Sequence, residues 1–127
     1  MELPMRIITW NVNGIRANLG KNALDWAFAQ EPNFLCLQEV KAREEQLNEE
    51  QRAMLKLPFV WNAAQRPGYS GVTTFFKQQP DEIVTGMGAD TFDVEGRVIQ
   101  TLWAGCRLFN IYFPNGTRGY HRVEYKL

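Results

Sequence analysis

Phe34 to Gln38 is a continuous apolar run of strand length that gives out at Glu39. A strand with no polar alternation must be covered on both faces, which in soluble proteins points to a strand inside an α/β sheet. Met5 to Asn11, rich in Ile and aromatic residues, reads as a second and mostly buried strand closed by Asn-x-Asn-Gly turn chemistry. Between them Asn22 can cap a helix, with Asp25 standing in for the usual capping-box Glu. Leu24, Ala27 and Phe28 share one face of that helix, and Pro32 ends it. Strand, helix, strand favours parallel pairing.

Residues 42–57 are rich in Glu and Gln, with apolar residues at Leu47, Met54 and Leu55, and read as a surface helix or an irregular segment. The pattern then changes. Phe59-Ala64, Gly71-Lys77, Val98-Trp103 and Arg107-Phe113 are strand candidates separated by Gly, Pro and Asp-rich turns such as Arg66-Pro67-Gly68, at spacings suited to antiparallel pairing. Tyr120 to Leu127 reads as the first turns of a helix. The fold class is therefore α/β (α+β), on a length of 127 residues that suits one unit with a real core.

Lys plus Arg balance Asp plus Glu at 14 each, so no global basic field draws the chain to polyanions, and any nucleic-acid contact must come from local patches. Cys36 and Cys106 sit in apolar strand-like runs without metal-cluster or redox spacing and are expected to be reduced core residues. Met1-Glu2-Leu3-Pro4 leaves no room for a charged leader and apolar signal core, and no run reaches membrane-spanning length, so a cytoplasmic protein that makes no membrane contact is expected.

Several residues invite a chemical reading, each beside a plainer one. Glu39 lies where a buried strand gives out, the end at which ligands gather in open α/β sheets, and its carboxylate suits Mg²⁺. It can equally be a solvated acid opening the loop Glu39-Val40-Lys41. Asn11 and Asn13 flank Val12 ahead of Gly14. Turn formation explains Asn13-Gly14 at least in part, whereas Asn11 can orient a carboxylate, a metal-bound water or a phosphate oxygen. Arg16 suits a DNA phosphate. Gly68-Tyr69-Ser70-Gly71 is either a plain hairpin turn or a loop that sets backbone N–H groups and a ring against a sugar-phosphate chain. Asp93 to Arg97 is a turn with a charge pair or a loop positioning Arg97. Tyr112, among apolar neighbours, has the pattern of a core tyrosine. Arg118, His121, Arg122 and Lys126 form a dense basic cluster, with a solvated helix face as the alternative. His121 pairs with no carboxylate at recognisable spacing and receives no catalytic role.

In one order, Trp-Asn-Val-Asn-Gly-Ile-Arg-Ala (10–17), Cys-Leu-Gln-Glu-x-Lys (36–41), Gly-Tyr-Ser-Gly-Val (68–72), Glu-Gly-Arg-Val (95–98), Tyr-x-Pro-Asn-Gly (112–116) and Arg-x-Glu-Tyr (122–125) resemble the successive signatures of the exonuclease III and apurinic/apyrimidinic (AP) endonuclease family. The resemblance implies that residues 1–127 are the N-terminal half of a four-layer sandwich of two mixed sheets flanked by helices. It implies Mg²⁺, for which Mn²⁺ can substitute, bound by Glu39 with Asn11 ordering the metal and nucleophile. Asn11, Glu39 and Tyr112 would be catalytic, Tyr112 facing the scissile phosphate. Lys41 would hold Glu39, and Arg16, Tyr69, Asn115 and Arg118 would contact DNA.

The implied reaction is hydrolysis of the phosphodiester 5′ to abasic sites, with 3′–5′ exonuclease and 3′-phosphatase activity on blocked ends of double-stranded DNA. The family's Gly-Asp-x-Asn and Ser-Asp-His segments do not occur in these 127 residues. A second reading follows: an inactive fragment or split-enzyme half that acts as a DNA-binding or assembly module beside a complementing C-terminal half. A phosphatase or lipid phosphodiesterase on the same scaffold is disfavoured by Gly68 to Val72 and Tyr112 to Tyr125.

Overall fold

The computed structural model describes residues 5–88 and 93–113. The expected strand-helix-strand unit is present. β1 (Ile7–Asn11) pairs in parallel with β2 (Phe34–Gln38), and the connection carries two short helices, α1 (Ile15–Gly20) and α2 (Ala23–Ala29). β2 then pairs antiparallel with β4 (Val72–Phe76), which pairs antiparallel with β3 (Phe59–Asn62), so the first sheet runs β1-β2-β4-β3. β5 (Glu82–Thr85), β6 (Val98–Trp103) and β7 (Cys106–Ile111) form a second, antiparallel sheet in chain order. The 42–57 segment splits into a 3₁₀ turn at Glu44–Gln46 and helix α3 (Glu49–Ala53), closed at its start by a capping box between Asn48 and Gln51.

The alternation of β2 separates two cores. Leu35 and Leu37, fully buried, join Val12, Ile15, Leu19, Leu24, Ala27 and Phe75 under the helices. Burial of each such side chain contributes roughly 2 kcal/mol. Phe34 and Cys36 face the other way, and with Phe76, Val60, Ile83, Trp103 and Leu108 they glue the first sheet to the second. The described residues thus supply helices, first sheet and second sheet in that order.

Buried amides lock the two sheets in register. Asn110 of β7, 2 % exposed, donates to the carbonyls of Leu37 and Thr73 and to Thr74 Oγ1, while its own oxygen accepts from Gln38 Nε2 at 2.8 Å. Asn62 of β3 donates to the Val98 carbonyl of β6 at 2.9 Å. An unpaired amide in this position would be costly, so these bonds admit few alternative packings.

Four expectations are corrected. β1 begins at Ile7 and is half exposed rather than mostly buried, because it forms an edge of the first sheet among the described residues. Asn22 does precede α2, but in left-handed backbone and without a side-chain cap bond. Cys106 is exposed, whereas Cys36 is buried, and burial pushes the Cys36 thiol up to about 11, partly offset by its hydrogen bond with Thr74. Strand β7 stops at Ile111, leaving Tyr112 just beyond it. The helix expected at Tyr120 to Leu127 lies outside the described residues. No helix among the described residues is long and apolar enough to cross a membrane.

Candidate active site

Parallel pairing puts the C-terminal ends of β1 and β2 at one end of the first sheet, and antiparallel pairing brings the start of β4 to the same end. Three loops therefore meet there, and their backbones are stitched together. Gly14 N–H donates to the Glu39 carbonyl at 2.8 Å and Ile15 N–H to the Val40 carbonyl at 3.0 Å. On the other side, Val40 N–H donates to Gly71 and Lys41 N–H to Ser70. Glu39, Lys41, Asn13 and Ser70 all hold positive φ, between 47° and 56°. Backbone strain of this kind in non-glycine residues concentrates at functional loops, where surrounding hydrogen bonds over-determine the geometry.

This stitching fixes the Glu39 carboxylate. Asn11 Nδ2 donates to its Oε1 at 2.9 Å, and Lys41 Nζ lies 3.5 Å from its Oε2. Lys41 also donates to Asn13 Oδ1 at 2.5 Å, and Asn11 Oδ1 accepts from the Asn13 N–H at 3.1 Å. Asn11, Asn13, Glu39 and Lys41 thus make one polar cluster on two strand ends. Glu39 remains partly open to solvent, with a fifth of its side chain exposed. A single accessible carboxylate among amide groups fits Mg²⁺, which takes one or two carboxylates and keeps several waters. Among the described residues no group of three or more His, Cys, Asp or Glu side chains could hold a metal ion by itself. Glu39 is the ligand these residues can offer; Asn11, with its amide nitrogen on the carboxylate, orients it.

The second sheet supplies the other wall. Val98 pairs with Ile111, so Arg97 and Tyr112 flank the same end of β6 and β7, and Tyr112 N–H donates to the Arg97 carbonyl at 2.9 Å. Arg97 is 1 % exposed. Its Nη2 donates to Tyr69 Oη and to Glu95 Oε1, which joins the two sheets through the Gly68 to Gly71 loop. Of the two readings of Asp93 to Arg97, a turn with a charge pair or a loop positioning Arg97, both features are present: Glu95 pairs with Arg97 at 2.9 Å, and Arg97 is buried. Arg16 is exposed on α1, just past Gly14. Asn115 and Arg118 lie outside the described residues.

Lys41 meets Glu39 as the resemblance implied; what the sequence reading missed is the packing around these groups: the Lys41 bond to Asn13, Asn110 braced by Gln38, and the burial of Arg97. Asn110 had one visible signal, a lone amide inside the apolar run Leu108 to Phe113.

Gly96 shows how close the loops come. Its φ is +61°, and a Cβ there would lie 2.4 Å from Ala64 N and 2.6 Å from the Ala63 carbonyl carbon, both backbone atoms that cannot swing away. Its carbonyl also accepts from Gly71 N–H and Ser70 Oγ. Gly96→Ala should destabilise the fold by about 3 kcal/mol, from left-handed strain and overpacking combined. Thermal unfolding checks this; an unchanged midpoint would mean that the 93–97 loop does not dock on residues 63–71.

The chain is similar to known proteins over nearly its whole length. The DNA repair nuclease APEX1 of Danio rerio is 39% identical over 96% of this chain and 40% of its own length. The exodeoxyribonuclease of Bacillus subtilis is 35% identical over 97% of this chain and 48% of its own. Among solved structures, an AP endonuclease from Archaeoglobus fulgidus superposes with a TM-score of 0.77 at 27% identity, over 97% of this chain and 47% of that one. A 3′ phosphatase from Neisseria, bound to product DNA hairpin, gives a TM-score of 0.76 at 28% identity over the same shares. The chain spans less than half the length of these relatives. The exonuclease III and AP endonuclease resemblance thus holds along nearly all of it. Residues 8–126 match the profile described as the endonuclease/exonuclease/phosphatase family, and the chain belongs to that family.

Proposed function

We propose that this chain is the N-terminal half, residues 1–127, of a Mg²⁺-dependent DNA-repair nuclease of the exonuclease III type. The whole protein would hydrolyse the phosphodiester 5′ to abasic sites in double-stranded DNA, and trim 3′-blocked ends by 3′–5′ exonuclease and 3′-phosphatase action. The observation that carries this reading is the convergence of Glu39, Asn11 and Lys41 with Tyr69 and Tyr112 at one end of both sheets. Glu39 would hold the metal, which when bound polarises a phosphoryl oxygen and stabilises the leaving alkoxide. Asn11 and Lys41 keep the carboxylate aimed. Tyr112 would face the scissile phosphate from the second sheet, and Arg16, Tyr69, Asn115 and Arg118 would contact the DNA at or near the lesion. A cytoplasmic location fits this role.

One observation favours the assembly reading as a companion. A cleft of about 370 Å³ opens between the sheets beside β1 and β7, lined by Ile7, Thr9 and Cys36 on one side and Leu108, Phe109 and Ile111 on the other. Ile7 and Phe109 are more than two-fifths exposed. Both strands are edges among the described residues, and exposed apolar edges invite further strands. A complementing C-terminal half is the partner that this cleft suits.

The test is incision of a duplex carrying one abasic site by the whole protein, this chain joined to its second half. Cleavage immediately 5′ to the lesion, lost with EDTA and regained with Mg²⁺, is expected. Metal-independent cleavage, or hydrolysis of lipid phosphodiesters with DNA left intact, would sink the reading.

A further inference from the structure

Arg97 carries more structure than a buried charge pair needs. Its guanidinium carbon lies 5.6 Å from the centre of the Tyr69 ring and 5.3 Å from that of Tyr112. Nη2 donates to Tyr69 Oη at 2.5 Å and to Glu95 Oε1 at 2.9 Å, and Tyr69 Oη in turn donates to the same Glu95 oxygen at 3.0 Å. Nη1 reaches the Tyr112 carbonyl at 3.5 Å. A planar cation with a fork of donors can satisfy two rings, a hydroxyl and a carboxylate at once. A lysine ammonium, a single point charge, cannot.

The two rings belong to different sheets. Tyr69 rides a loop flanked by Gly68 and Gly71 at φ of +66° and +90°; backbone hydrogen bonds hold that loop at Ser70 and Gly71, while the Tyr69 hydroxyl bonds to Arg97 and Glu95. Tyr112 lies past the end of β7. We propose that Arg97 is a positioning residue that couples Tyr69 to Tyr112, so that the wall contributed by each sheet presents its ring to one substrate at a fixed spacing. The coupling rests on the functional reading above for its purpose. The geometry that makes it does not.

Two measurements on the whole protein separate these levels. In the first, ring-¹³C tyrosine is incorporated and the Tyr112 signals are followed on Tyr69→Phe, which removes the hydroxyl that Arg97 and Glu95 hold. A shift of the Tyr112 ring signals is expected in the protein that keeps Arg97, and it should vanish in Arg97→Lys. Tyr112 signals that do not respond to Tyr69→Phe overturn the coupling whatever the enzyme does, and this arm needs no variant at the buried arginine.

In the second, cleavage of abasic duplex is measured. Arg97→Lys should lose about a hundredfold in kcat/KM, the scale of a misplacement near 1 Å. The losses from Tyr69→Phe and Tyr112→Phe should be non-additive while Arg97 is present and additive in the Arg97→Lys background. A merely structural arginine would lower the unfolding midpoint yet leave the two tyrosine losses additive in both backgrounds, which overturns the proposal. Absence of any metal-dependent cleavage by the unsubstituted protein would sink the functional reading, while the tyrosine signals still decide the coupling.

Discussion

Glu39→Ala should abolish the proposed metal-dependent cleavage by the whole protein, with an expected loss on the order of a thousandfold or more, while unfolding should shift little. Both halves of this expectation come from the same geometry. The carboxylate is the one metal-suited acid in the cluster of Asn11, Asn13 and Lys41, so its loss leaves amides and an ammonium that cannot hold Mg²⁺. Catalytic units fail together, and removing one member typically costs orders of magnitude rather than a fraction.

Stability is another matter. The ion pair with Lys41 is a third exposed on the lysine side and a fifth on the glutamate side, and such pairs contribute less than about 1 kcal/mol. Lys41 keeps its bond to Asn13 in the variant. Glu39→Gln sharpens the comparison, since it keeps the shape and can still accept from Asn11 but carries no charge; it should fail as badly as Ala. Mg²⁺ titration of incision checks both. Full activity at ordinary Mg²⁺ in either variant removes Glu39 from the site.

The residues that could be read from sequence are those whose role is set by position along a strand. β2 matches the expected Phe34 to Gln38, a dense apolar run between Asn33 and Glu39, and β6 the expected Val98 to Trp103, whose β-branched and aromatic residues follow Arg97 and run into the turn Ala104-Gly105. Once β1 and β2 pair in parallel, Asn11 and Glu39 must share an end, so their meeting follows from topology alone. β5 was not legible: Glu82-Ile83-Val84-Thr85 has only two apolar residues, and it forms by pairing with β6 rather than by its own pattern. α1 was hidden for a different reason. Its six residues directly follow turn chemistry at Asn13-Gly14, and it is held by packing of Ile15 and Leu19 rather than by a cap.

The least legible residue was Arg97. Nothing near it in sequence announces that a charged side chain will be buried, because two of its partners, Tyr69 and Tyr112, lie 28 and 15 residues away. Cys106 erred in the opposite direction. It opens β7 at the turn Ala104-Gly105, where apolar neighbours in sequence do not translate into cover in space.

The 127-residue chain alone should fail to nick abasic duplex DNA in Mg²⁺, and addition of the matching second half should restore cleavage. Glu39 and Asn11 can recruit and aim a metal, yet the chain contains no Gly-Asp-x-Asn or Ser-Asp-His segment to activate a water. Among the described residues the inter-sheet cleft beside β1 and β7 stands open, with Ile7 and Phe109 in contact with solvent. Those two features have one remedy. Strands that cover the cleft would bury its apolar lining and, by growing from the β1 and β7 edges, bring their own loops toward the end where Glu39 and Tyr112 stand. Rescue in trans should therefore track assembly: a Phe109→Asp substitution, facing the cleft and far from the Glu39 cluster in sequence, should weaken association of the halves and lower cleavage in proportion, with activity regained at higher concentrations of the second half. Sedimentation and incision assays on the same mixtures read both quantities. Robust, EDTA-sensitive nicking by the purified chain alone, absent from a Glu39→Ala control prepared in the same way, would show that the catalytic unit is complete within these residues.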